Sequence, residues 1–148
     1  MAADSLQLIV VTPERQLLRE NAADVQLPGA SGYLGVLPGH APLITELGIG
    51  ELSYREASGK ESPHIAIISG FAEVLPDRVT VLAETAEFGE EIDLERARRA
   101  LERARGRIAA NFTDLDWERA TAALQRALVR IKVGEFLVKR RTATVQAP

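Results

Sequence analysis

Apolar and polar positions alternate in short runs through the first 87 residues, and from there on apolar residues recur every three or four positions. In the first stretch, Leu6–Val11 stops at Thr12-Pro13, Val25-Gln26-Leu27 ends at Pro28-Gly29, and Tyr33–Leu37 ends at Pro38-Gly39. Glu51–Arg55 then runs into Ser58-Gly59-Lys60, Ile65–Ser69 meets Gly70, Phe71–Leu75 meets Pro76-Asp77, and Val79–Ala83 follows directly. A period of two punctuated by proline and glycine predicts strands spaced roughly 8–12 residues apart, the pattern of an antiparallel sandwich or barrel. No stretch before residue 88 has the length and periodicity of a helix.

Beyond Glu87, the stripe Leu94, Ala97, Leu101, Ala104 and Ile108 predicts one amphipathic helix with Asp93 as its N-cap. Asn111-Phe112-Thr113-Asp114 supplies a break and a capping candidate. Trp117, Ala120, Leu124, Ala127 or Leu128, and Ile131 then predict a second helix, with Gly134 as its end. Two helices joined by a short connection lie antiparallel. The expected fold is therefore α+β by segregation: an N-terminal antiparallel β-sandwich over residues 1–87, then a C-terminal two-helix antiparallel hairpin with a basic tail over residues 88–148.

The predicted seam is largely alanine. At about 25 cal/mol per Å² of apolar surface removed from water, alanine contributes much less than leucine, so the hairpin is expected to hold together weakly. Each helix, rich in Ala, Arg, Leu, Glu and Gln, keeps strong intrinsic propensity of its own. The helices are thus expected to survive parting from each other.

Charge divides at the same place. Residues 1–87 carry 5 basic and 12 acidic side chains, and residues 88–148 carry 13 and 9, within a total of −3 over 148 residues. The 46% hydrophobic content supports a packed core, and no apolar run reaches the roughly 18 residues of a membrane span. Met1–Ser5 is small and acidic, unlike the basic start of a secretory signal, so a cytosolic product is expected. The absence of cysteine excludes disulfides and thiol chemistry, and two histidines, His40 and His64, are too few for a zinc site.

The usual catalytic and cofactor signatures are missing. Gly59-Lys60 is followed by Glu61 where a phosphate loop needs Ser or Thr, and Gly48-Ile49-Gly50 has Ser53 in place of the third glycine of a dinucleotide fingerprint. Ser69 has Ile67 where a nucleophile elbow needs glycine. The helix arginines interleave with glutamates, aromatics are few and the first part is acidic, all of which argue against nucleic acid. Arg126 and Arg130 differ in sharing one helix face a turn apart, an arrangement suited to clamping a carboxylate cluster or a polyphosphate.

Val11-Thr12-Pro13, the run Gly32-Tyr33-Leu34-Gly35-Val36-Leu37-Pro38-Gly39-His40-Ala41-Pro42-Leu43, and Ser69-Gly70-Phe71-x-Glu73-Val74 resemble the ε-subunit family of bacterial F-type ATP synthases. The likeness continues through Val79-Thr80-Val81-Leu82-Ala83 and Ile92-Asp93-Leu94-Glu95-Arg96-Ala97, then through the helix carrying Arg126 and Arg130. It implies a noncatalytic central-stalk rotor subunit, peripheral on the cytoplasmic face of the cell membrane. Its partners would be the γ subunit and the c-ring, and the catalytic α/β hexamer when the hairpin extends along γ to obstruct ATP hydrolysis. No cofactor is required by the resemblance.

In some relatives ATP binds the folded hairpin as a regulatory ligand. The matching positions here are Glu87, Ile92, Asp93, Arg96, Ala97, Arg126 and Arg130, with capping as the structural alternative for Asp93 and packing for Ile92. The resemblance also turns the loop holding Gly35, Pro38, Gly39, His40 and Pro42 toward the c-ring, with a backbone-satisfied turn histidine as the alternative for His40. A stand-alone ATP-binding sensor module is the competing function, and a scaffold without regulatory motion a third. The tail after Ile131 looks longer than the family's usual one, and Lys139-Arg140-Arg141 in it either reaches further into the hexamer or dangles.

Overall fold

The structure, a computed structural model, describes residues 4–60, 62–110 and 114–146. The chain forms two compact units, residues 1–87 and 88–148. In the first, six strands run in chain order: β1 (Leu6–Val11), β2 (Gln16–Gly29), β3 (Gly32–Val36), β4 (Leu43–Glu56), β5 (Ile65–Leu75) and β6 (Arg78–Phe88), whose last residue opens the second unit.

The strand order is β1-β6-β5-β4-β2-β3, and a further pairing of β1 with β2 closes the sheet on itself. Closure rests on β2 changing partners along its length. Leu18–Ala22 pairs with Leu6–Val10 of β1, whereas Val25–Gly29 pairs with β3 on one side and faces Tyr54 to Leu47 of β4 on the other. The closed sheet encloses one apolar core. Leu6, Leu8 and Val10 point inward from β1, Val25 and Leu27 from β2, Leu52 from β4, Ile65, Ile67 and Val74 from β5, and Val79 and Val81 from β6, all nearly inaccessible to water.

This bears out the sandwich, with two refinements. β1 and β6 run parallel, Gln7 beside Arg78 and Val11 beside Leu82. Parallel neighbours need a long connection, and here four intervening strands supply it. The runs Ile65–Ser69 and Phe71–Leu75, read as separate strands, form the single strand β5, because Ser69 (φ 58°) and Gly70 (φ 132°) bend the chain without ending its pairing with β4. A Cβ on Gly70 would fall on the carbonyl oxygen of Leu82, so only glycine lets β5 approach β6 this closely.

In the second unit, a 3-10 turn over Gly89–Glu91 leads into α1 (Leu94–Ala109), followed by α2 (Asp114–Gln146). Asp93 caps α1 by accepting a 3.0 Å hydrogen bond from the Arg96 amide. Ala97, Leu101 and Ala104 of α1 and Ala120 and Ala127 of α2 are buried, with Leu94, Ile108, Leu124 and Ile131 half-buried, so the alanine-rich seam forms. Ala127 takes the stripe position and Leu128 is exposed; Trp117, predicted to belong to the stripe, is exposed as well. Residues 111–113 of the expected break lie outside the described residues.

The end assigned to α2 requires correction. The helix passes through Gly134 and continues to Gln146, so Lys139-Arg140-Arg141 is helical rather than a dangling tail. A Cβ on Gly134 would lie 2.7 Å from Leu94 Cδ2 and 3.5 Å from Ile92 Cγ2. This glycine serves close approach between helices instead of helix termination.

Candidate functional site

The loop Leu37–Pro42 is held by backbone bonds. The Gly39 amide donates to the Pro76 carbonyl at 2.7 Å, the His40 amide donates to the Leu37 carbonyl at 3.1 Å, and Gly39 adopts φ 85°. His40 Nδ1 donates to the Ala41 carbonyl at 2.7 Å, so the imidazole is engaged by its own turn. Pro76, in the turn between β5 and β6, is the anchor that sequence reading missed. Gly35, Gly39 and Pro42 are exposed, Pro38 and His40 half-buried, and Leu37 presents an exposed apolar side chain.

A second surface was not foreseen. On the outer face of the sheet, Ile44 of β4 lies opposite Glu73 of β5, and Phe71 of β5 lies opposite Glu46 of β4. Ile44, Phe71 and Leu82 of the neighbouring strand β6 are 75%, 57% and 57% exposed. Adjacent exposed apolar side chains interleaved with carboxylates form the kind of patch that marks a partner interface. The alternation that buries Val74 and Ala72 also turns Phe71 outward, so the strand pattern held this signal.

His64 is not available as a free ligand, because its ring Nδ1 lies against the Glu51 carboxylate, both side chains being largely buried. The neighbouring Tyr54 has its phenol pKa raised above the usual 10, mainly by burial and further by the charges of Glu20 and Glu56, against a lowering hydrogen bond with Ser62.

Ile92, Asp93, Arg96 and Ala97 come together at the start of α1. Asp93 and Arg96 are exposed, Ile92 is half-buried against Gly134, and Ala97 is buried in the seam. Arg126 and Arg130 are half-buried one turn apart on α2. By helical period they fall between the row Ala120–Ala127 and a second buried row, Val129–Val133, that sequence reading did not assign. Glu87 belongs to β6, in the other compact unit. Among the described residues no group of three or more metal-ligating side chains occurs, and no helix is long and apolar enough to cross a membrane.

Comparison with known proteins resolves the identity of the fold. Residues 5–89 match the β-sandwich domain of the ATP synthase delta/epsilon chain, and residues 90–135 match its long α-helix domain. The ATP synthase epsilon chain of Solibacter usitatus is 57% identical over 101 residues, covering 68% of this chain and 74% of that one. The epsilon chain of Syntrophobacter fumaroxidans is 48% identical over 133 residues, covering 90% of this chain and 98% of that one. Among solved structures, a chain of the Euglena gracilis mitochondrial ATP synthase, in an assembly of OSCP, F1 and c-ring, superposes with a TM-score of 0.75 at 27% identity over 84% of this chain and 78% of that one. A chain of the Tetrahymena thermophila central stalk and c-ring shares the fold, with a TM-score of 0.61 at 14% identity over 90% and 99%. With both of its units matched in order, the chain belongs to the ATP synthase delta/epsilon family, as an epsilon chain.

Proposed function

We propose that this epsilon chain, a stalk subunit and not itself catalytic, binds the γ subunit and the c-ring through its sandwich, and restrains ATP hydrolysis through its helical hairpin. The observation that carries the reading is the match of both units, in order, to the two domains of the delta/epsilon family. The exposed row Ile44, Phe71 and Leu82 and the backbone-locked loop at His40 support the sandwich as a docking body. An alanine seam between helices of high intrinsic propensity supports a hairpin that exchanges its contacts for others. In the extended placement the arginines of α2 would meet acidic residues of the catalytic hexamer, on the cytoplasmic face of the membrane.

The test is an ATP synthase assembled with this chain cut before Phe88. Rotor assembly is expected to persist while ATP hydrolysis rises. A truncated subunit that neither assembles nor changes hydrolysis overturns the proposal.

A regulatory nucleotide site at the start of α1 is a second reading, favoured by the two guanidinium groups one turn apart on α2. Calorimetric titration of the full chain with ATP is expected to give heat that Arg126→Ala removes. No heat at millimolar nucleotide sinks it.

A further inference from the structure

The two helices of the hairpin are unequal. α1 has 16 residues and α2 has 33, so at about 1.5 Å per residue α2 outruns its partner by roughly 25 Å. The stripe on α2 keeps its three-four spacing throughout: Ala120, Leu124, Ala127, Ile131, Gly134, Val138, Arg141, Val145. α1 covers it only as far as Gly134, where Leu94 and Ile92 sit against the glycine.

Past that point the 3-10 turn takes over. A Cβ on Gly89 would lie 3.0 Å from the Val133 carbonyl oxygen and 3.3 Å from Leu137 Cβ, so this turn crosses α2 in backbone contact. Glu90 Oε1 approaches Arg141 Nη2 at 4.0 Å, and Arg98 donates to Glu135 at 3.2 Å just before the crossing. The buried positions elsewhere along the seam are mostly alanines, Ala97 and Ala104 beside Leu101 on α1 and Ala120 and Ala127 on α2. The open end of the hairpin thus holds contacts specific in shape and charge. Leu137 and Arg141 lie beyond residue 135, where the match to the family's helix domain stops.

We propose that the C-terminal extension of α2 is a latch, in which Gly134, Leu137 and Arg141 clasp the 3-10 turn and the first turn of α1 and hold the loosely seamed helices together. This regulatory role rests on the reading that the hairpin opens to inhibit hydrolysis. Because alanine contacts supply little, fastening one end sets how often the helices part. The rest of the seam follows.

The chain lacks cysteine, so nitroxide labels on Arg103→Cys and Gln125→Cys in the full chain would report helix parting as a distance distribution by pulsed EPR. Gly134→Leu strengthens α2 as a helix while driving a side chain into Leu94, and is expected to raise the parted fraction about tenfold. Ending the chain at Glu135 is expected to act in the same direction. Arg141→Glu, an exposed change that leaves folding intact, is expected to raise it roughly twofold, the scale of a surface ion pair, with reversal when Glu90→Arg is added. An unchanged parted fraction in the truncated chain and in Gly134→Leu overturns the latch, and so does a rise in full-length Gly134→Leu that comes with loss of helical circular dichroism. If the parted fraction rises while the assembled enzyme hydrolyses ATP at its unaltered rate, the latch stands and the inhibitory reading falls.

Discussion

At the scale of single residues, two positions in the sandwich are dictated by sterics and burial. Gly70 sits where any Cβ meets the β6 backbone, and its φ of 132° is strained for any L side chain. Gly70→Ala is therefore expected to destabilise the sandwich by about 3 kcal/mol or more, read from the denaturation midpoint of the full chain by β-sheet circular dichroism. Tyr54 illustrates burial acting on a titration. Its raised pKa means that the fold favours the neutral phenol, so its contribution is complete below the ordinary value near 10 and is lost as pH rises through the higher folded-state value. Stability is expected to fall more steeply above pH about 10 than in Tyr54→Phe. Equal alkaline slopes in the two proteins would contradict this.

At the scale of elements, the start of α1 separates capping from ligand binding. Asp93 satisfies the Arg96 amide, so Asp93→Ala is expected to cost about 1 kcal/mol of hairpin stability, whereas Asp93→Ser, which also caps, is expected to cost little. If Asp93 also serves a nucleotide, Asp93→Ser keeps the helix and weakens ATP binding, a split that thermal melts and calorimetry resolve together. α2 is the element least visible from periodicity. It buries Val129 and Val133 as well as the row Ala120–Ala127, and a helix apolar on more than one face has no single stripe to reveal its extent. Gly134 deepens the ambiguity, since glycine at a helix end and glycine at a close crossing look alike until the crossing partner, Leu94, is known.

At the scale of the molecule, the division into two compact units coincides with a change of charge. The sandwich has a closed sheet and a core of its own, so residues 1–87 alone are expected to unfold cooperatively with a β-sheet signal. A fragment without a cooperative transition would show that its core is incomplete. The acidic unit presents an apolar row, and the basic unit carries Lys139-Arg140-Arg141 on the last part of α2. Each therefore offers a different chemistry to its surroundings.

The amino-acid sequence by itself determined the segregation into strands and helices, the alanine seam and the Asp93 cap, because all three are written in local periodicity and local hydrogen bonding. It also carried the family, through the run Gly32–Leu43 and the motifs after it. Tertiary structure alone decided what depends on residues distant in the chain: β1 pairing in parallel with β6, the loop at His40 hanging from Pro76, and Glu51 meeting His64. The same holds for α2 running past Gly134 to be crossed by the 3-10 turn at Gly89. Local pattern encodes which element forms, whereas closure, crossing and pairing are settled by which surfaces fit together in space.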